Sequence, residues 1–198
     1  MAETIKVKLQ PLSAEAFQSY GQMLESKQPI FPEVEFGEGR VAMELLHLKY
    51  RPDAKRMSQM AIHFSYNQTF IPLRGLMVLV VAPAPRNHEA GQAAYEFDYE
   101  RVAAFVLEPG QAALIDKGVW HNALTFGPQC TLINVTRKDP GEGTSQDVEG
   151  RIELVPTMRS YVEFVDLQKR DNRVIELELF SFTPRLRIRS FRRRSSPA

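Results

Sequence analysis

The sequence predicts a mainly β fold, an antiparallel sandwich or barrel with a short helix near the N-terminus. Short segments rich in β-branched and aromatic residues recur along the chain, and Pro, Gly and Asp lie between them. No stretch sustains a helical period of apolar residues over several turns. Strands are expected at residues 43–50, 58–65, 69–73, 76–82, 102–107, 112–115 and 130–135, with further strand or mixed structure within 151–180. Many short strands with closely spaced turns are typical of a closed or two-layered β domain.

One helix and one long loop are expected outside the strands. Ser13 can cap the helix, and Glu15 lies in its first turn, where the helix dipole favours a carboxylate. Gly21 can end the helix because glycine adopts the left-handed backbone conformation without strain. Residues 83–101 are expected to form the loop, over one mouth of the β domain.

Composition indicates one domain with no overall attraction to nucleic acid or membrane. The 198 residues carry a formal net charge of +1, and 43% of them are hydrophobic, which suffices for a packed core. We expect a single barrel domain over residues 1–180 and a basic, flexible tail over 181–198, which holds six arginines and no acidic residue. An alternative is that this tail contacts nucleic acid or a membrane surface.

Cysteine usage and the N-terminal residues favour a cytoplasmic protein. Cys130 is the only cysteine in the sequence, so no intrachain disulfide can form, and its apolar neighbours predict a packed thiol rather than a nucleophile. The N-terminal residues lack the apolar core of a signal peptide, and no apolar run is long enough to cross a membrane.

Two distant segments each pair a histidine with a glycine at a defined interval. In the first, four residues separate His63 from Gln68, and six more separate Gln68 from Gly75. In the second, Gly110 is followed after five residues by DKGVWH, which ends at His121. These spacings resemble the two motifs of a cupin-type antiparallel β-barrel. The resemblance implies that both histidines and Gln68 reach one point inside the barrel, where a small ligand fits.

The ligand set of a metal-binding cupin is reduced in this chain. Ala61 stands where such a cupin has its first histidine, and Gln68 stands where it has a glutamate. If a divalent metal is bound, His63, Gln68 and His121 are its expected ligands. Binding should be weak because the anionic donor is missing, so no cofactor is required by the sequence. His47 could supply a third imidazole if its strand turns that side chain inwards.

Four strings and the opening of the chain carry a closer resemblance. They are QTFIPL at 68–73, LMVLVVAP at 76–83, AFVLEPGQ at 104–111, KGVWHNAL at 117–124 and the opening VKLQPLSAEAFQSYGQML at 7–24. In this order and at nearly these intervals, they resemble the ureidoglycolate lyase family, also called ureidoglycolate hydrolase. The resemblance implies a cupin-type barrel, often a homodimer and associated with a divalent metal. It also implies an enzyme that splits ureidoglycolate into glyoxylate and urea late in purine (allantoin) degradation.

The resemblance and the chemistry of this substrate assign roles to five residues. Collapse of ureidoglycolate needs a base for the hydroxyl proton and an acid for the departing nitrogen, and histidine can serve as either. We expect His63 or His121 to be the base and the other to donate a proton or orient the substrate. Gln68 is expected to bind the ureido group. Lys117 or Arg137 is expected to hold the carboxylate.

Departures from the family pattern leave two other functions open. Ala61-Ile62 stands where the family usually has Glu-Arg, and Thr136-Arg137 stands where it has Asp-Arg. Loss of acidic groups near the site allows a diverged cupin enzyme that acts on another small hydroxy or keto acid. It also allows a cupin that binds a small anion without catalysis.

Overall fold

Two curled β-sheets dominate the structure, a computed structural model that describes residues 1–24, 32–37, 39–87, 95–138, 144–146, 152–154 and 162–179. The strands, numbered along the chain, are β1 (Glu3–Pro11), β2 (Gly21–Met23), β3 (Arg40–Lys49), β4 (Arg56–Met57), β5 (Gln59–Ile62), β6 (Gln68–Arg74), β7 (Met77–Ala82), β8 (Ala103–Leu107), β9 (Ala113–Ile115), β10 (Trp120–Leu124), β11 (Gln129–Lys138), β12 (Thr144–Gln146), β13 (Ile152–Leu154), β14 (Glu163–Asp166) and β15 (Arg173–Glu178). The helices are α1 (Ala14–Phe17) and α2 (Leu167–Asp171), and short 3₁₀ turns lie at Pro52–Lys55 and Tyr99–Arg101.

The larger sheet has the strand order β14-β5-β10-β7-β8-β1-β15-β4, and the smaller sheet has the order β2-β9-β6-β11-β3. Strands β12 and β13 form a separate two-stranded pair. Pairing is mostly antiparallel, as expected for this class of fold. The prediction of a mainly β fold with a short N-terminal helix is confirmed.

A tight turn carries the chain from the smaller sheet to the larger one. It joins β6 to β7 through Gly75 and Leu76. Gly75 has a φ of +80°, and a Cβ at this position would collide with the carbonyl oxygen of Gln129. Both the backbone conformation and the lack of space therefore require glycine here.

Apolar side chains fill the space between the sheets. The smaller sheet contributes Leu46, Phe70 and Leu132, and the larger sheet contributes Leu79 and Phe105, within one buried cluster. Because successive side chains of a strand point to opposite faces, residues two positions from these also point inwards. The interior face of each strand is thereby defined.

The outer face of the larger sheet is covered by a second cluster. Tyr95, Phe97 and Leu167 of α2 pack there against Trp120 of β10. Residues 95–99 of the loop predicted at 83–101 therefore pack on this outer face, whereas its position over a mouth of the barrel stays a prediction. Residues 88–94 of that loop lie outside the described part of the chain.

The predicted helix forms, but it ends earlier than expected. Ser13 is the N-cap of α1, and its hydroxyl accepts a hydrogen bond from the Ala16 amide at 3.2 Å. Gln18 is the C-cap, so the prediction that Gly21 ends the helix is wrong. Gly21 instead opens β2 with a φ of +148°, where a Cβ would collide with the carbonyl oxygen of Leu114. Glycine is needed there for the close approach of β9.

Five strands were missed, namely β1, β2, β4, β10 and β12, and one predicted strand is shorter than expected. β1 has Val7 as its only fully buried side chain, so its apolar signal is weak, and it pairs in parallel with β15 and β8. This arrangement corrects the expectation of a wholly antiparallel barrel. β10 was missed because its residues were treated as part of the second histidine motif. The strand predicted at 58–65 ends at Ile62 because residues 63–67 form a loop.

The single thiol is packed, as the sequence predicts. Cys130 is fully buried in the core between the sheets. Burial raises the pKa of its thiol to about 11, so the reactive thiolate is disfavoured near neutral pH.

The predicted domain boundary and the predicted cellular location both stay predictions. The tail at 181–198 lies outside the described residues, and a domain boundary at residue 180 stays a prediction. Among the described residues, no helix has the length and apolar character needed to cross a membrane. The cytoplasmic location also stays a prediction.

Candidate functional site

His63 and His121 are brought together by adjacent elements of the larger sheet. His121 lies in β10, and its backbone pairs with Ala61 on one side and Val81 on the other. His63 directly follows β5, and its carbonyl oxygen accepts a hydrogen bond from the Gly118 amide at 2.7 Å. The centroids of the two imidazole rings are 4.8 Å apart in an edge-to-face arrangement. The two motifs therefore meet in space, as their spacing predicts.

His121 presents one ring nitrogen that the described residues leave without a hydrogen bond. Its Nδ1 lies 2.9 Å from the carbonyl oxygen of Val119. A carbonyl only accepts hydrogen bonds, so Nδ1 carries the proton of the neutral ring and Nε2 keeps its lone pair. Burial, followed by the proximity of His63, lowers the pKa of His121 to about 3. The ring is therefore neutral at pH 7, and Nε2 is available as a base.

His63 is engaged at both ring nitrogens. Its Nδ1 lies 2.9 Å from the carbonyl oxygen of Tyr66, and its Nε2 lies 2.9 Å from Oε1 of Gln68. The ring also stacks on that of Tyr66, with centroids 3.8 Å apart. Burial lowers the pKa of His63 to about 4, although its hydrogen bonds to Gln68 and Tyr66 act in the opposite direction. Neither nitrogen is open to a substrate in this arrangement.

A row of polar side chains extends from His63 across the smaller sheet. Nε2 of Gln68 donates to Oδ1 of Asn134 at 2.8 Å, and Nδ2 of Asn134 donates to a carboxylate oxygen of Glu44 at 2.9 Å. Gln68 begins β6, while Asn134 in β11 lies directly opposite Glu44 in β3. Gln68 and Asn134 are buried, so the row connects a carboxylate to the imidazole through two buried amides.

Lys117 lies at the rim of the site, in an ion pair. Its ammonium lies 2.6 Å from a carboxylate oxygen of Glu35, and both side chains are substantially exposed. The Glu35 amide donates to Oδ1 of Asn67, and the Asn67 amide donates to the carbonyl oxygen of Glu35, next to Gln68. The structure thus places Lys117 beside the loop that carries His63, with Glu35 as its partner.

Arg137 borders the same loop from another side. Its Nη1 donates to the hydroxyl of Ser65 at 3.3 Å, and its side chain packs against Gly37 and Gly39. By strand alternation, the buried Thr136 points to the interior and Arg137 does not. Its guanidinium therefore lies beyond the loop, while Thr136 shares the inner face with Asn134.

His47 does not contribute a third imidazole. Leu46 and Leu48 point into the core, so His47 points to the outer face of β3. Its Nδ1 lies 3.1 Å from the hydroxyl of Thr131 on the neighbouring strand. The condition under which His47 would join the site is not met.

The predicted metal ligands do not face one common point. Nε2 of His63 and Oε1 of Gln68 are hydrogen-bonded to each other. Of the three expected ligand atoms, Nε2 of His121 is therefore the one that is not already hydrogen-bonded. Within the described ranges, no three His, Cys, Asp or Glu side chains form a group that could hold a metal ion. As arranged, these side chains do not fit a divalent ion, and metal binding stays a prediction.

Glu44 and Asn134 are the site residues that the sequence analysis missed. Both lie in predicted strands, and a signal for Glu44 was present. It alternates with Leu46 and Leu48, so a strand that buries these leucines also turns Glu44 inwards. A carboxylate in an inward-facing row is uncommon and points to a polar partner.

Sequence comparison identifies relatives over the part of the chain that holds this site. A family model described as ureidoglycolate lyase matches residues 32–153. A protein of Agrobacterium fabrum, provisionally named ureidoglycolate lyase, is 32% identical over 126 residues, which are 60% of this chain and 74% of that protein. The range matched by the family model contains both imidazoles and the whole polar row.

Solved structures with a similar fold are more distant. A variant of oxalate decarboxylase from Bacillus subtilis has 12% identity and a TM-score of 0.36, over 50% of this chain and 22% of that chain. A dTDP sugar isomerase from Desulfovibrio desulfuricans has 17% identity and a TM-score of 0.38, over 71% and 76% of the two chains. This chain therefore spans less than a quarter of the oxalate decarboxylase chain.

Proposed function

We propose that this chain, which belongs to the ureidoglycolate lyase family, cleaves ureidoglycolate into glyoxylate and urea in purine degradation. The observation that carries the proposal is the buried pair of imidazoles, of which His121 has an unengaged ring nitrogen. Such a nitrogen is neutral at pH 7 and has a lone pair that can accept a hydroxyl proton.

His121 acts as the base and returns the proton. Its Nε2 takes the proton of the substrate hydroxyl, the C–O bond becomes a carbonyl, and the C–N bond breaks with its electron pair passing to the ureido nitrogen. The imidazolium then donates its proton to that nitrogen, so urea leaves neutral and the reaction consumes no proton. Because burial lowers the pKa of His121, the neutral ring is a weak base and its imidazolium a strong acid, so the return of the proton is the more favourable of the two transfers.

Polar groups around the imidazoles hold the substrate. The Gln68 amide uses one N–H bond on Asn134 and has a second for a ureido or carboxylate oxygen. Lys117 exchanges Glu35 for the substrate carboxylate, which costs little because an exposed ion pair is weak. Arg137 lies beyond the loop, where it hydrogen-bonds to Ser65, so it adds positive charge near the substrate carboxylate without contacting it.

Urea release from racemic ureidoglycolate, with and without added divalent ions, tests the proposal. The unmodified protein should release urea, and His121→Gln should lower kcat by about 100-fold or more because general base catalysis is lost. His47→Gln is the matched control, since it makes the same substitution at an outward-facing histidine. No urea release by the unmodified protein, or equal loss in both variants, would contradict the proposal.

A diverged enzyme for another small hydroxy or keto acid is the second candidate. Two residues favour it: Ala61, which pairs directly with His121, and the buried Thr136. Both stand where the family usually has an acidic residue. A panel of small hydroxy and keto acids distinguishes the two functions. Turnover of a panel member that exceeds turnover of ureidoglycolate favours the second candidate.

A further inference from the structure

The polar row that ends at His63 has a defined direction. A carboxylate only accepts hydrogen bonds, so Asn134 turns its Nδ2 to Glu44 and its Oδ1 to Gln68. The Asn134 oxygen also only accepts, so Gln68 turns its Nε2 to Asn134 and its Oε1 to His63. The carboxylate at one end thus sets the orientation of both amides.

The direction of the row has a consequence for the tautomer of His63. Oε1 of Gln68 can accept a hydrogen bond from the ring only if Nε2 carries the proton. The carbonyl oxygen of Tyr66 can accept one only if Nδ1 carries it. A neutral imidazole has a single N–H and satisfies one of these two acceptors. Orientation of the Gln68 amide therefore decides which tautomer is favoured.

We propose that Glu44, acting through Asn134, is a positioning residue that orients the Gln68 amide and keeps the ring proton of His63 on Nε2. Its catalytic consequence rests on the proposed function. With this orientation, Gln68 offers an N–H rather than a carbonyl oxygen to the substrate. Among the two imidazoles, Nε2 of His121 is then the lone pair that remains for the hydroxyl proton.

Replacement of Glu44 by glutamine should reverse the row. The new amide at position 44 can donate to Asn134, which then donates to Gln68, which in turn donates to His63. Every member of the row is satisfied in this way with a neutral ring. In that state Nε2 of His63 accepts from Gln68, and Nδ1 donates to the carbonyl oxygen of Tyr66. We expect Glu44→Gln to move the ring proton of His63 from Nε2 to Nδ1.

A second substitution should restore the original direction. In Glu44→Gln with Asn134→Asp, the acceptor-only carboxylate lies one position along the row and accepts from both of its neighbours. Gln68 must again turn its Nε2 to position 134 and its Oε1 to His63. The double variant has the same net charge as the unmodified protein, so recovery cannot be attributed to total charge.

Two readouts test the inference on the full chain. Long-range ¹H–¹⁵N spectra report the tautomer, and the sequence has four histidines, so the His63 signals are assigned by comparison with His63→Gln. Urea release gives kcat and KM. Glu44→Gln should show the Nδ1–H tautomer and lose about tenfold in kcat, and the double variant should regain the Nε2–H tautomer and most of kcat. Glu96→Gln, the same change at an exposed residue, should alter neither.

The outcomes separate this inference from the proposed function. An Nδ1–H tautomer in the unmodified protein, or no change of tautomer in Glu44→Gln, overturns the positioning role even if urea is released. A tautomer that switches and is restored supports that role even if no urea is released, in which case the proposed function alone fails. If thermal melting shows Glu44→Gln to be unfolded, Glu44→Ala, which also removes the acceptor, replaces it in the same comparison.

Discussion

At the scale of single residues, the site depends on imidazoles that burial keeps neutral. His63 and His121 are almost fully buried, and desolvation is the main cause of their lowered pKa values. A neutral ring can accept a substrate proton, whereas a solvent-exposed histidine would be partly protonated near its ordinary pKa. The same burial that makes the site chemically useful makes it sensitive to acid.

Acid sensitivity can be measured as the slope of stability against pH. In the unfolded chain both rings regain a pKa near 6.5, while the folded values are about 4 and about 3. As the pH falls from 6.5, the unfolded state binds protons that the folded state does not, so the free energy of unfolding decreases. Between pH 6.5 and the folded pKa, we expect a loss on the order of 3 kcal/mol for His63 and on the order of 5 kcal/mol for His121.

Denaturant unfolding between pH 4.5 and 6.5 checks this expectation. His121→Gln removes one of the two titrating groups and should reduce the slope by about one proton over this range. Equal slopes for the variant and the unmodified protein would show that His121 does not have a lowered pKa. The range stops at pH 4.5 so that ordinary carboxylates contribute little.

At the scale of elements, strand register determines which side chains form the site. Asn134 meets Glu44 because β11 and β3 pair in register at these residues. His121 in β10 pairs with Ala61 in β5, and Ala61 is two residues before His63 in the chain, so this register places His121 near His63. A shift of one residue in either pair would turn the polar side chains to the opposite face.

The requirement for glycine in the turn at Gly75 can be tested by substitution. Gly75→Ala should lower the free energy of unfolding by about 3 kcal/mol or more, since a left-handed backbone and a collision with Gln129 add together. Gly110→Ala is the matched control, because Gly110 also has a positive φ, of +94°, but a Cβ there has no neighbour within 4 Å. Its cost should be about 1–2 kcal/mol. Equal costs in thermal or chemical unfolding would exclude a packing role for the turn.

At the scale of the whole molecule, the outer face of the smaller sheet is apolar at its edge. Val41, Met43 and Leu45 on the edge strand β3 are 58%, 74% and 58% exposed. Ile133 and Val135 lie beside them in register on β11. Exposed apolar side chains on an edge strand favour association.

The homodimer that the family resemblance implies is expected to use this face. Sedimentation of the unmodified protein should give twice the mass of one chain, and Met43→Lys combined with Leu45→Lys should shift it to a monomer. Leu179→Lys changes another exposed leucine and should leave the dimer intact. A monomeric unmodified protein, or a dimer that survives the double substitution, would contradict the expectation.

Local patterns in the sequence were sufficient to predict the fold class, whereas the meeting of the two motifs was predicted by their resemblance to those of a cupin. Alternating apolar residues, turn formers and the histidine–glycine spacings are short-range features, and each strand or turn is specified largely by its own residues. The N-cap at Ser13 and the buried thiol of Cys130 were predictable for the same reason. The parallel pairing of β1 with β15 was not, because it joins segments about 170 residues apart and neither strand carries information about its partner.

The sequence by itself determined that this chain folds into a mainly β domain, and its two motifs predicted that His63 and His121 converge. Only the tertiary structure decided which ring nitrogen is available, that His47 points outwards, and that Glu44 reaches His63 through two amides. The physical reason is that a hydrogen bond depends on the relative placement of atoms from separate strands. Period and spacing specify the face on which a side chain lies, whereas register across the sheet specifies which side chain it meets.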